Sequence, residues 1–148
     1  MKIIFLDIDG VLNSEKYYRS VDRKRKNWSR FDPLAVLMIK KLIDEFSLKI
    51  VITSTWRFGA VEMLNIELIK SGLKQYLYED WKTPQTSPSH RGKEIKMWLD
   101  NHPVINEYVI IDDDENILKE HMLRFVQTDI KEGLNQEHYY KAREVLLD

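Results

Sequence analysis

Apolar residues along this chain fall into two kinds of pattern, and the two alternate. Ile3-Ile4-Phe5-Leu6, Leu48-Lys49-Ile50-Val51-Ile52 and Tyr108-Val109-Ile110-Ile111 are short, nearly unbroken runs rich in β-branched and aromatic side chains. Such runs belong to strands covered on both faces, as in a parallel sheet. Between the first two, Leu34, Leu37, Met38, Ile39, Leu42 and Ile43 recur at helical spacing to about residue 46. Asp32 opens that helix as N-cap, with Pro33 in its first turn. A second helix is predicted over about 60–71, stopped by Gly72. A third, over about 93–100, carries Ile95, Trp98 and Leu99 inward and breaks at Asn101-His102-Pro103. Weaker patterns predict short strands at 76–79 and 125–127, a short helix near 116–122 and a final helix from about 135. Residues 13–32 and 80–90 read as polar loops. The alternation of β and α predicts an α/β fold with a doubly wound parallel sheet, in one domain spanning 1–148.

Composition narrows the class. With 148 residues, 43% of them hydrophobic, the chain can bury one sizeable core and lacks the bias of disordered segments. It has no cysteine, which excludes disulfides, thiolate metal sites and cysteine nucleophiles. The first apolar run turns acidic too soon for a signal peptide, and no stretch has the length to span a bilayer. No membrane partner and a cytoplasmic location are the expectations. The net charge of −1 is unevenly spread: residues 16–30 hold seven Lys or Arg against one Asp, a local +6 that leaves −7 for the rest. Tyr17, Tyr18 and Trp28 are interleaved with those cations. A solvated loop is the plain reading; a surface facing phosphates or nucleic acid is the functional one.

Three strand ends carry the chemistry. The first run ends in Asp7-Ile8-Asp9-Gly10, the second in Thr53-Ser54-Thr55, the third in Asp112-Asp113-Asp114. In an open parallel sheet these ends share one edge, where ligands bind. If the strand continued past Leu6, Asp7 and Asp9 would point the same way, and Gly10 would supply the turn. Two carboxylates about 4 Å apart repel by roughly 4 kcal/mol at an effective dielectric near 20. A divalent cation, a basic side chain or a retained proton must offset that. Asp7, Asp9, Asp112 and Asp113, beside hydroxyls, suit Mg²⁺ better than zinc. The four histidines fall away from the strand ends and read as structural, His90 being the nearest.

In those motifs the sequence resembles the haloacid dehalogenase (HAD) superfamily of aspartyl-phosphate phosphotransferases. Asp7 to Gly10 match its first motif, Thr53 with Ser54 its second, and Asp112 with Asp113 its fourth. The third, a cation at the start of a later helix, is matched by Arg91 or Lys93, with Arg91 preferred. The phrases FLDIDGVLN, ITSTWR and QTDIKEGLN look most like a small HAD group attached to RNA-repair enzymes. The resemblance implies Asp7 as nucleophile and Asp9 as general acid and base. It also implies Mg²⁺ held by Asp7, the Asp9 carbonyl and Asp113, with Asp112 acting through water. Thr53 and the backbone after it would bind phosphoryl oxygens, and Arg91 or Lys93 would steady Asp7. Gly10, Asn13, Thr55 and Arg57 are the remaining candidates for substrate contact. For Arg57, a helix-entry packing pair with Trp56 is the alternative.

The gaps 13–52 and 56–90 are largely consumed by core elements, so no separate cap domain fits. An open site, with the basic-aromatic segment beside it, favours a phosphorylated RNA or DNA end. Phosphatases of small nucleotides or other metabolites share these motifs. A non-catalytic, receiver-like phosphate sensor is the reading from another class. Receivers place the acid pair on the first strand and the phospho-acceptor on the middle one, the reverse of the order here.

Overall fold

The computed structural model describes residues 1–148. Five parallel strands form one sheet: β1 (Lys2–Leu6), β2 (Leu48–Ile52), β3 (Leu77–Lys82), β4 (Glu107–Asp112) and β5 (Phe125–Gln127). Their order is β3-β2-β1-β4-β5. The chain moves outward from β1 through β2 to β3, then returns to the other side of β1 with β4. That reversal makes the β1/β4 boundary the switch point of the sheet.

The helices are α1 (Glu15–Ser20), α2 (Pro33–Phe46), α3 (Trp56–Gly59), α4 (Val61–Ser71), α5 (Arg91–Asp100) and α6 (Gln136–Leu147). Alternation along the strands sorts the core into two layers. Ile4, Leu6, Ile50, Ile52, Val109 and Ile111 pack on one face with residues of α2, α4 and α6. Ile3, Phe5, Val51 and Ile110 pack on the other with Ile95 and Trp98 of α5. Apart from Lys49 and the strand-end residues Lys2, Glu107 and Asp112, the central strands are therefore apolar on both faces, which is why their runs are nearly continuous. No helix is long and apolar enough to cross a membrane.

Four expectations from the sequence are corrected. Residues 13–32 are not all loop: Ser14 accepts from the Tyr17 N–H at 3.0 Å and caps α1, whose ends pair through Arg19 and Glu15 at 3.3 Å. α1 buries no residue, so it leaves no apolar periodicity to detect. β3 runs on to Lys82 because an edge strand carries charge on its open side and reads as a polar loop. α5 begins at Arg91, two residues earlier than expected, because His90 caps it. The helix expected near 116–122 is a 3₁₀ turn over Lys119–Arg124. Asp112 and Asp114 accept from the backbone N–H groups of Asp114 and Asn116, both at distances below 3 Å, and these side-chain turns delay it.

Candidate active site

Strand register decides which residues meet. Leu6 lies level with Ile52 on one side and with Ile111 on the other. The next residues, Asp7, Thr53 and Asp112, therefore stand abreast at the C-terminal edge of the three central strands. The Asp7 N–H donates to the Ile111 carbonyl at 3.2 Å and the Thr53 N–H to that of Leu6 at 3.1 Å, carrying the pairing one residue further. Asp7, Asp112 and Asp113 each bring a carboxylate oxygen within 4.8 Å of the others. Asp7, Thr53 and Asp112 are buried; Asp113 is half-buried.

One cation reaches this group. Arg91 Nη1 lies 3.4 Å from Asp7 Oδ1 and 3.4 Å from Thr53 Oγ1, and contacts Asp112 Oδ2 directly. Gly92 permits the reach. Its N–H donates to the Asn116 carbonyl at 2.8 Å, and a Cβ there would stand 2.7 Å from the Leu118 nitrogen. Gly92→Ala must push the start of α5 off the 116–118 backbone and withdraw Arg91. The expected result is a loss of about 1–3 kcal/mol in stability, read by thermal or urea unfolding.

Burial pushes the Asp7 carboxyl well above its ordinary pKa; the Asp112 carboxylate adds to this and Arg91 opposes it. Asp112 is also pushed up by burial, with Arg91 the chief opposing influence. Burial disfavours the Arg91 charge, but Asp112 and Asp7 outweigh it and hold the guanidinium pKa above the usual value. The group carries more carboxylate than one guanidinium balances, and its donors are all oxygen. That combination fits a hard divalent cation such as Mg²⁺. Asp112 has one oxygen on Arg91 and the other accepting from the Asp114 N–H at 2.9 Å, leaving Asp7 and Asp113 better placed as direct ligands.

Asp9 is not in that carboxylate group, which corrects the expectation that it points alongside Asp7. The chain turns as soon as β1 ends: the N–H groups of Val11 and Leu12 both donate to the Ile8 carbonyl. Asp9 is swung out and exposed, with Oδ1 accepting from Asn13 Nδ2 at 2.9 Å and Oδ2 from Trp56 Nε1 at 3.0 Å. Gly10, at φ +82°, allows the turn, and a Cβ there would collide with the Asp113 carboxylate. Its carbonyl accepts from Thr128 Oγ1 at 2.6 Å. Gly10 therefore makes room for Asp113, and Asn13 serves the turn and Asp9 together.

The other candidates separate by where they point. Ser54 is buried, its Oγ accepting from the Trp56 N–H at 3.2 Å; Thr55 is exposed at the same turn. Lys93 is exposed, and only its backbone N–H is engaged, by His90 Nδ1 at 3.2 Å, so Arg91 is the cation at the carboxylates. Arg57 faces inward, contrary to the expectation of substrate contact. Its Nε donates to the Thr83 carbonyl at 2.9 Å, Nη1 to Thr53 and Ser54 at 2.7 and 2.9 Å, and Nη2 to Pro84 at 2.9 Å and Glu94 Oε1 at 3.2 Å. All five guanidinium N–H groups are used. Arg57 braces the turn that carries Thr53.

Sequence reasoning did not find Glu94, Thr128, Tyr18 or the Trp56 indole. Glu94 left a trace: it sits four residues before Trp98, on the inward stripe of α5, where an apolar residue belongs. Thr128 and the Trp56 indole act across 118 and 47 residues and leave none, and Tyr18 acts within a helix that buries no residue.

The basic segment is linked to the Asp9 turn through Tyr18, whose hydroxyl accepts from Asn13 Nδ2 at 2.9 Å. Arg23, Lys24, Arg25 and Lys26 are exposed. Behind them, Tyr17 Oη donates to the Ser29 carbonyl at 2.6 Å and Lys70 Nζ to that of Trp28 at 2.9 Å, fastening the segment against α4. Arg30 lies over Trp28 at 4.7 Å, and Tyr18 meets Trp28 edge-on at 6.3 Å. The cleft of about 800 Å³ between α1, α2 and α6 contains none of Asp7, Asp9, Asp112 and Asp113.

A family model described as the HAD domain in Swiss Army Knife RNA repair proteins matches residues 3–139. The chain belongs to this HAD family. The match spans every strand and reaches into α6, and no separate cap interrupts the HAD core. Membership supports a hydrolase of the phosphatase type, and the aspartate group is compatible with it. No curated protein and no solved structure gave a match.

Proposed function

We propose that this HAD chain hydrolyses phosphomonoesters through a phosphoaspartate on Asp7, with Mg²⁺ as cofactor and the phosphorylated end of an RNA or DNA strand as substrate. The observation that carries the reading is the convergence of Asp7, Asp112, Asp113, Thr53 and Arg91 at the sheet edge. An Asp7 oxygen attacks phosphorus as the ester P–O bond breaks, and Asp9 gives its proton to the departing alkoxide. Asp9, now ionised, takes a proton from the water that attacks the phosphoaspartate. Inorganic phosphate leaves, and Asp7 is restored. Arg91 and the Thr53 hydroxyl lie where they can bind the equatorial phosphoryl oxygens. Asp7 and Asp113 would hold Mg²⁺, which would supply positive charge to offset the repulsion of the carboxylates and the phosphate dianion.

The family description names RNA repair, and two features of the chain favour a polymer end. No separate cap interrupts the core, and the exposed Arg23–Lys26 cations with Trp28 and Tyr18 offer phosphate contacts beside surfaces for base stacking. The test is phosphate release from 3′- and 5′-phosphorylated oligonucleotides, mononucleotides, sugar phosphates and phosphopeptides, with Mg²⁺ and with chelator. Oligonucleotides are expected to be the best substrates, with release abolished by chelator. Neutralising Arg23 to Lys26 is expected to weaken oligonucleotides far more than a small aryl phosphate; equal losses on both count against the nucleic-acid role. Mg²⁺ at about 100 times its Kd is expected to stabilise the fold by roughly 2.7 kcal/mol. That gain, read as a shift in Tm, should be largely lost in Asp113→Asn.

A further inference from the structure

Asp9 is exposed, yet both of its oxygens are held. We propose that Trp56, together with the Asn13–Tyr18 pair, positions Asp9 for proton transfer to the leaving group; this rests on the phosphatase reading above. A side chain at a turn has several rotamers open to it, and general acid catalysis needs one of them. Asn13 can act as a fixed post because its own orientation is settled. Its Oδ1 accepts from the Gly10 N–H at 3.1 Å, a group that can only donate, so Nδ2 must face the other way. Nδ2 then spends its two hydrogens on Asp9 Oδ1 and Tyr18 Oη, each at 2.9 Å. Asn13 is buried and has no freedom to turn.

Trp56 holds the opposite oxygen. Its ring rests against buried Phe31 at 6.0 Å, and its backbone N–H is tied to Ser54 Oγ, so the indole N–H is delivered from a braced side chain. Asn13, held by Tyr18 of α1, and Trp56 of α3 thus grip the acid from two sides. Neither touches Asp7, Asp112 or Arg91 by any hydrogen bond, so their influence runs through Asp9.

Leaving-group chemistry separates this role from a structural one. A nitrophenolate departs without a proton, whereas a ribose or simple alkyl alkoxide needs one. Trp56→Phe keeps the ring and removes the donor; Tyr18→Phe removes only the acceptor for Asn13. For Trp56→Phe, kcat on an alkyl or nucleoside phosphate is expected to fall about 10- to 100-fold, with a loss on nitrophenyl phosphate at least about tenfold smaller. KM should change less than kcat in both variants, and Tyr18→Phe should show the same leaving-group bias at smaller amplitude. Melting curves for both variants establish that they are folded. Equal loss on the two leaving groups, or no loss on the alkyl ester, overturns the positioning role while the phosphatase reading stands. A wild-type protein inert towards every phosphomonoester overturns both.

Discussion

Asp7→Asn is expected to lower phosphate release by at least about a thousandfold and, in the same preparation, to raise the melting temperature of the metal-free protein. The first effect follows because an amide cannot be the anionic nucleophile. The second follows from burial. Asp7 lies among Asp112 and Asp113 with one guanidinium, and its carboxyl is pushed well above the ordinary range, burial being the largest cause. A folded-state pKa raised above the unfolded value of about 3.9 means that the folded protein holds the proton more tightly. Stability from this group is therefore complete below the unfolded pKa and is lost as pH rises through the raised value. Asparagine, neutral throughout, escapes that loss. Wild type and variant should differ little in acid and diverge towards neutral pH, and Mg²⁺ should close the gap by favouring the ionised carboxylate. Thermal unfolding at several pH values, with chelator and with Mg²⁺, reads all of this. A variant that melts lower than wild type at neutral pH without metal contradicts the electrostatic account, and one that retains turnover removes Asp7 from the mechanism.

Arg57→Ala is expected to cost about 3–5 kcal/mol of stability, the range for removing one partner of a buried ion pair. Arg57 and Glu94 are only 2% and 1% exposed in their side chains, so neither charge has water to fall back on. Alanine leaves Glu94 buried without its cation, although Thr86 and Ser89 still donate to its Oε2. It also strips the donor from the carbonyls of Thr53, Ser54, Thr83 and Pro84. For a chain of this length the loss corresponds to a fall in Tm of about 10 °C. Arg57→Lys is expected to rescue little, because an ammonium has three donors and no planar fork to span acceptors on two strand ends. Activity should fall as well, since the Thr53 turn depends on the brace. A Tm within a degree or two of wild type would show that water enters and replaces the guanidinium.

Both variants lie in motifs visible in the linear chain, yet their roles were unequally legible. Asp7 could be read because β1 ends abruptly in acid after four apolar residues. Arg57 follows Thr55-Trp56 just as directly, but whether a guanidinium turns outward to phosphate or inward to Glu94 depends on a partner 37 residues away. Arg91 and Lys93 show the same limit. Two residues apart on a helix they lie roughly 200° apart around its axis, and only the contact of Gly92 with the 116–118 backbone selects Arg91 for the carboxylates.

By itself the sequence determined the α/β order, the three central strands and the set of polar strand ends, because apolar period and turn residues are local properties of the chain. Tertiary structure alone decided that the Asp9 side chain leaves the group of Asp7, Asp112 and Asp113, that Arg57 is a brace, and that Trp56 and the Asn13–Tyr18 pair converge on Asp9. Those outcomes are set by strand register, by turns that end the alternation of side chains, and by contacts between segments far apart in the chain. No local pattern encodes which of two neighbouring side chains will face a partner brought there by folding.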